Sequence, residues 1–249
     1  MNIVWLDSID STNSEALRRL PELPGGTVLA AREQTAGRGQ RGNSWFAEPG
    51  KNLTFSIVLR FGQEGLPSLS AADSIWLNYL MSDVVALFLH GFSVESQIKW
   101  PNDIYVQRRK ICGILIENTL DGDRLAASVI GVGLNINQQT FPQLSNATSL
   151  CQCKGEQQDV ERCLETLCSL FEAELPMLFS PERRAQLFDS YSRRLFRKGV
   201  SARYHDLLTD REYTGEIQGV EPDGRLCIKD LDAQGVLRYY RFKEVSYIL

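Results

Sequence analysis

The chain has 249 residues, 43% of them hydrophobic and 23% charged, with a formal net charge of −4 at pH 7. That length holds one large domain or one domain with a small appendage, and the composition is that of ordinary globular proteins. The acidic balance argues against broad, sequence-independent DNA binding, which rests on an excess of Lys and Arg.

Residues 1–7 lack a basic n-region and a long apolar h-region, so they read as a first β-strand rather than a signal peptide, and a cytoplasmic location is expected. No apolar run is expected to cross a bilayer, so no membrane partner is expected. Thr12 with Glu15 three residues on fits a capping box, which predicts a helix running to about Leu20. A helix start also offers free N–H groups and hydroxyls to a small polar ligand. Residues 21–26 break the helix, and residues 27–31 read as a strand leading into a loop, residues 33–45. There Gly37, Gly39 and Gly42 alternate with Arg38 and Arg41, and Trp45 closes the run. Glycine permits close backbone approach, and the arginine fork matches carboxylate and phosphate oxygens. The segment is either a mobile loop that folds over an anion or an ordinary polar surface loop.

Residues 52–60 carry apolar side chains at 53, 55, 57 and 59, the alternation of a half-buried strand. From Ser68 to about His90 the spacing becomes helical, with Gly91 placed as the residue that ends the helix. Residues 97–106 are strand-like on both sides of Pro101, which marks an edge or a break. A turn at residues 107–109 leads to a strand at 110–117, and a further strand at 125–137 carries Gly131 and Gly133 on one face. Two missing side chains leave either a trough for a flat ligand or a place of tight sheet packing.

Helices are predicted at about 157–178 and 181–196, followed by short strands at 200–204, 211–220, 225–230 and 237–242. These suggest a small barrel set off as a second unit, dividing the chain into residues 1–196 and 197–249. The basic cluster of Arg183, Arg184, Arg193, Arg194, Arg197, Lys198 and Arg203 reads as a solvated helix face and its C-terminal turn. The six cysteines read as free thiols, since Cys151 and Cys153 lack the two further convergent ligands a zinc site needs. His90 and His205 are the only histidines, which leaves no evident Ser-His-Asp or Cys-His machinery.

Taken together, Ser11, Thr12 and Gln34 offer neutral donors and acceptors, Arg38, Arg41, Lys99 and Lys110 offer positive charge, and Gly131 and Gly133 a flat floor. Lys99 beside Trp100 hints at an anionic partner, because an unpaired buried charge is expensive. The set favours an anion-rich substrate such as a nucleotide, held without a Walker A sequence.

Five segments in order carry a resemblance: Asp10-Ser11-Thr12-Asn13, the loop from Gln34 to Trp45, Lys99-Trp100-Pro101-Asn102-Asp103, Lys110-x-x-Gly113-Ile114-Leu115-x-Glu117, and Gly131-Val132-Gly133-Leu134-Asn135. Together the chain resembles biotin protein ligases, through residues 147–150 and, more weakly, the C-terminal strands. The resemblance implies an α+β fold, a mixed β-sheet flanked by helices of the class II synthetase-like kind, with a small SH3-like C-terminal β-barrel. It implies ATP-dependent attachment of biotin to a lysine of a biotin carboxyl carrier protein through biotinoyl-5′-AMP, with Mg2+ brought mainly on ATP. Ser11, Thr12, Asn13, Gln34, Gly37, Arg38, Gly39, Gln40, Lys99, Gly113, Gly131 and Gly133 would surround biotin. Arg38, Arg41, Trp45, Lys99, Asn102, Lys110, Asn135 and Ala147 would lie at the nucleotide. The chemistry would fall to Lys99, Arg38 and Lys110, with Asp103 helping to place the metal or a lysine.

Relatives often carry a basic residue where this chain has Gln40, so the adenylate is expected to leave faster here. With the first motif at residue 10 there is no room for a winged-helix domain before it, so a ligase without DNA binding is expected, monomeric or homodimeric. The rival readings are a lipoate or octanoate ligase or transferase, a non-catalytic biotin- or nucleotide-binding module, and, weakest, nucleic-acid binding by the small barrel.

Overall fold

The computed structural model describes residues 1–62, 65–142, 144 and 146–248, with Arg41 described by its backbone alone. The first strand β1 (Asn2–Ile9) runs through helix α1 (Thr12–Arg18) into β2 (Thr27–Gln34), and β1 and β2 pair in parallel. β3 (Leu53–Arg60), helix α2 (Ile75–Gly91), the short β4 (Gln97–Lys99), β5 (Asp103–Val106), β6 (Arg109–Asp121) and β7 (Arg124–Leu134) follow. All their pairings are antiparallel, giving one mixed seven-stranded sheet in the order β1-β2-β3-β7-β6-β5-β4. Then come α3 (Leu150–Lys154), α4 (Val160–Glu174) and α5 (Pro181–Arg193). Strands β8 (Ser201–Asp206), β9 (Arg211–Val220), β10 (Leu226–Asp230), β11 (Val236–Tyr240) and β12 (Val245–Tyr247) form a small antiparallel sheet, order β11-β10-β9-β8-β12.

Helix α2 packs beneath the sheet with α4 and α5, and its Leu80, Val84 and Phe88 share one buried cluster with Phe55, Ile57 and Ile130 of the strands. Helix α1 covers the opposite face, where Ala16 meets Leu29, Val58 and Val129. Coverage on both faces corrects the half-buried expectation for β3, in which every residue from Leu53 to Leu59 is buried. Ser56 is polar within that strand because its face looks onto α1, where its hydroxyl lies 2.8 Å from Thr12 Oγ1 and 2.6 Å from Asn13 Oδ1.

Several helix ends differ from the sequence expectation: α2 begins at Ile75 rather than near Ser68, α4 at Val160 rather than near 157, and α5 ends at Arg193 rather than 196. The N-cap of α1 is Ser11, whose Oγ accepts from the Ser14 N–H at 3.5 Å; Thr12 is the first helical residue, and its hydroxyl is drawn inward to Gln34. Gly91 lies inside α2, and the left-handed residue that ends the helix is Ser93 at φ 58°. The Ser93 N–H bonds to the His90 carbonyl and the Val94 N–H to the Leu89 carbonyl, the two bonds of a Schellman ending. The run Ala72–Gly91 is also long and apolar enough, by composition alone, to cross a membrane, which corrects the expectation that none is. Here it is the central core helix, buried along most of its length.

The C-terminal sheet does not have a core of its own. Tyr204, Tyr213, Ile217, Leu226 and Ile228 belong to the same buried cluster as the main sheet and its helices. The Trp100 indole N–H donates to the Gly224 carbonyl at 3.0 Å, tying the turn after β4 to the β9–β10 turn. The basic cluster is largely neutralised: Arg194 pairs with Asp83 at 3.1 Å, Arg184 with Asp73 at 3.4 Å and Arg193 with Asp189 at 2.7 Å, while Arg203 pairs with Glu212. All six cysteines are unpaired thiols.

Candidate functional site

The strand ends and loops that carry the polar motifs converge on one cavity of about 420 Å3. Its neutral end is built where α1 begins. The Thr12 N–H and hydroxyl donate to Gln34 Oε1 at 2.8 and 3.1 Å, which joins the start of α1 to the end of β2. Asn13 Nδ2 donates to the Leu115 carbonyl at 3.2 Å and to Glu117 Oε2 at 2.9 Å. A Cβ on Gly131 would overlap the Asn13 amide, so this glycine is the space into which Asn13 turns.

The glycine–arginine loop folds over the same cavity. A single 3-10 turn spans Gln40–Gly42, Gly39 N–H donates to Asn43 O at 2.7 Å, and Trp45 N–H donates to Gly37 O at 2.8 Å. Arg38 closes the loop on the sheet, reaching Glu117 at 2.8 and 3.2 Å and Ser14 Oγ at 3.2 Å. The glycine face left open in the sequence is a packing surface for Trp45: a Cβ on Gly133 would overlap the indole, and one on Gly113 would come within 3.1 Å of its Cζ3. Trp45 Nε1 and Gln40 Oε1 are both buried and have no hydrogen-bond partner among the described residues. Buried polar atoms are ordinarily satisfied, and two orphans on one cavity wall fit a polar ligand.

The other end is cationic. Lys110 pairs with Asp103 at 2.6 Å and lies 5.6 Å from the Trp45 ring. Lys99 stands opposite Asp103 in the β4–β5 register. Its ammonium forms no ion pair among the described residues and lies instead over two aromatic rings, Tyr247 at 5.0 Å and Tyr105 at 5.4 Å. Burial pushes the Lys99 pKa down, Asp103 pulls it back up, and the nearby Lys110 and Arg197 add to the lowering. Lys243, at φ 78° in the turn between β11 and β12, brings a further cation. Four cationic residues, Arg38, Lys99, Lys110 and Lys243, thus line the cavity with one carboxylate, Asp103.

Of the residues singled out in the sequence, Ser11, Thr12, Asn13, Gln34, Arg38, Gly39, Gln40, Trp45, Lys99, Asn102, Asp103, Lys110, Gly113, Gly131 and Gly133 line this cavity. Gly37 lies beside it, in a shallower depression under the same loop. Asn102 supports the wall by donating to Ile114 O at 2.6 Å, and Gln40 approaches the same carbonyl at 3.5 Å. Asn135 and Ala147 stand behind the wall: Asn135 Nδ2 donates to Thr148 O at 2.9 Å, and Ala147 bridges to Lys110. The Arg41 side chain lies outside the described residues.

Sequence reasoning missed three contributors. Ser56 is a buried hydroxyl set between the apolar Phe55 and Ile57 of β3, a signal that was legible. Glu117 belongs to a quoted motif, yet its role as the partner of both Asn13 and Arg38 is visible only in space. The wall formed by Leu207, Phe242, Lys243, Val245, Ser246 and Tyr247 arrives from the far end of the chain and carries no local signal.

Residues 5–135 match the Biotin/lipoate A/B protein ligase family. The chain is similar to a biotin--[acetyl-CoA-carboxylase] ligase of Paracoccus denitrificans, 35% identical over 88% of this chain and 91% of that protein. It is also similar to the bifunctional ligase/repressor BirA of Escherichia coli, 29% identical over 98% of this chain and 74% of the relative. Among solved structures it is similar to the biotin protein ligase from Aquifex aeolicus in complex with biotin and ATP, with a TM-score of 0.77, 24% identity, and coverage of 98% of this chain and 97% of that one.

Proposed function

The chain belongs to the biotin/lipoate A/B protein ligase family, and from that premise we propose how its cavity uses ATP to attach biotin to a carrier protein. The enzyme is a ligase, with biotin and ATP as its small substrates. The observation that carries the residue assignment is the polarity of the cavity: neutral hydrogen-bonding groups gather where α1 begins, with Arg38 held beside them on Glu117, and Lys99, Lys110 and Lys243 line it together with the carboxylate of Asp103. Biotin's ureido group needs neutral donors and acceptors, which Ser11, Thr12, Asn13 and Gln34 supply. The dithiolane ring of lipoate has no N–H or carbonyl to meet them, which favours biotin over the lipoate reading.

In the first step a carboxylate oxygen of biotin bonds to the α-phosphorus of ATP as the bond to pyrophosphate breaks. Negative charge accumulates on the phosphoryl oxygens, and Lys99 is placed to stabilise it, with Lys110 the second cation on that wall. In the second step the neutral amine of a carrier lysine attacks the acyl carbon, and AMP departs as the amine gives up a proton. Magnesium would enter on the triphosphate. Asp103, the one carboxylate lining the cavity, could reach such an ion after parting from Lys110. Asn135 and Ala147 would then fix the backbone behind the nucleotide rather than touch it.

An acyl adenylate must be kept from water, so residues 37–45 should close over it. Limited proteolysis tests this: biotin with ATP should protect the segment, and equal cleavage with and without them would refute closure. The deciding assay for the reading as a whole is biotin-dependent ATP–pyrophosphate exchange, followed by transfer to a carrier domain. Exchange driven by lipoate but not by biotin would overturn it.

A further inference from the structure

We propose that Tyr247, on the last strand of the C-terminal sheet, is a positioning residue that acts through Lys99, holding its ammonium between two aromatic faces at the point where biotin and ATP react. The inference rests on the assignment of Lys99 to the adenylation step. Lysine is a flexible four-carbon stem ending in a point charge, so its value in catalysis depends on what fixes it. Here Asp103, the carboxylate opposite Lys99 in the β4–β5 register, is taken by Lys110 at 2.6 Å. What meets the Lys99 ammonium is the Tyr247 ring at 5.0 Å and the Tyr105 ring at 5.4 Å, both within cation–π range.

Tyr247 is itself held firmly. Its ring packs edge-on against Tyr204 at 5.5 Å and lies tilted against Phe196 at 6.3 Å. Its hydroxyl is buried without a hydrogen-bond partner among the described residues, and the Lys99 ammonium lies over the face of the ring. Burial raises the phenol pKa well above its ordinary value, and the ring stays neutral. The charged groups that Lys99 feels are Asp103, Lys110 and Arg197. An aromatic clamp differs from an ion pair in one respect that matters for the reaction: it orients the cation without neutralising it. The full charge remains for the developing phosphoryl oxygens.

The test is steady-state biotin-dependent ATP–pyrophosphate exchange with the whole chain. Tyr247→Leu should lower kcat roughly tenfold, equivalent to about 1.4 kcal/mol, while KM for biotin and for ATP stay within about twofold. Tyr247→Phe, which keeps the ring, should behave as wild type. In a Lys99→Met background, where nothing is left to position, Tyr247→Leu should cost nothing further. If the leucine variant does not fold, Tyr247→Met, a flexible apolar filler, carries the same comparisons. An unchanged kcat, a loss confined to KM, equal damage from Phe and Leu, or the same loss in the Lys99→Met background would each overturn the inference. Wild-type enzyme separates the two levels. No biotin-dependent exchange there removes the functional reading, whereas normal wild-type exchange with an unaffected Tyr247→Leu variant removes the inference alone.

Discussion

Lys99 illustrates at the scale of one residue how stability and activity pull apart. Burial holds its pKa below the ordinary 10.5, so between the folded and unfolded values the unfolded chain binds more protons, and stability rises with pH across that window. At neutral pH the charge is carried at a cost that no ion pair offsets. Replacing Lys99 with Met should therefore raise Tm by about 2–4 °C while lowering ATP–pyrophosphate exchange by about 10²–10³-fold. Calorimetry and the exchange assay read the two effects separately. Exchange by the wild type should decline with rising pH earlier than an ordinary lysine would dictate, as the cation is lost. Gln40 makes a second prediction at this scale. Its Oε1 is buried and has no hydrogen-bond partner among the described residues, and Gln40→Arg should slow release of the adenylate, measured as its off-rate; an unchanged off-rate would rule this out.

At the scale of the element, the start of α1 and the glycine face of β7 are built for each other. Ser11 caps the helix, and Ser11→Ala should cost about 1 kcal/mol of stability, visible as a lower Tm. Gly131 and Gly133 are spaced for different neighbours, Asn13 for the first and Trp45 for the second. Gly131→Ala should displace Asn13 from Glu117 and raise KM for biotin by roughly tenfold, the scale of one lost pocket contact. Gly133→Ala should instead expel the Trp45 ring, leaving residues 37–45 more open to protease in the ligand-free enzyme. If both variants shift KM and cleavage alike, the two glycines do not have separate tasks.

At the scale of the whole molecule, the C-terminal sheet completes the site. It supplies Leu207, Phe242, Lys243, Val245, Ser246 and Tyr247 to the cavity wall, and its Tyr204, Tyr213 and Tyr240 share the main core. Thermal unfolding should accordingly be one cooperative transition. A chain ending at residue 196 would expose Trp100 and the aromatic cluster around Phe196 and should lose exchange activity together with that transition. Two separate transitions, or a truncated chain that retains exchange, would contradict a shared core.

The sequence by itself determined the polar motifs, most of the strands and helices, and the pairing of a glycine–arginine loop with two lysine segments. These are local in chain or fixed by periodicity: alternation marks β3, helical spacing marks α2, and the motif residues from Ser11 to Gly133 are read as residue types at fixed intervals. Helix ends were less legible, and the start of α2 lies several residues past the expected Ser68, because capping is decided by where a side chain is needed; Gln34 draws Thr12 inward and leaves the cap of α1 to Ser11. The burial of both faces of β3 depended on α1 crossing it, which no alternation within the strand records. Only the tertiary structure decided the charge pairing. Arg38 goes to Glu117, Lys110 takes Asp103, and Lys99 is left to two aromatic rings. Those choices depend on distances between side chains up to about 150 positions apart, Lys99 and Tyr247 being the widest pair, and through-space electrostatics falls with separation in space rather than along the chain.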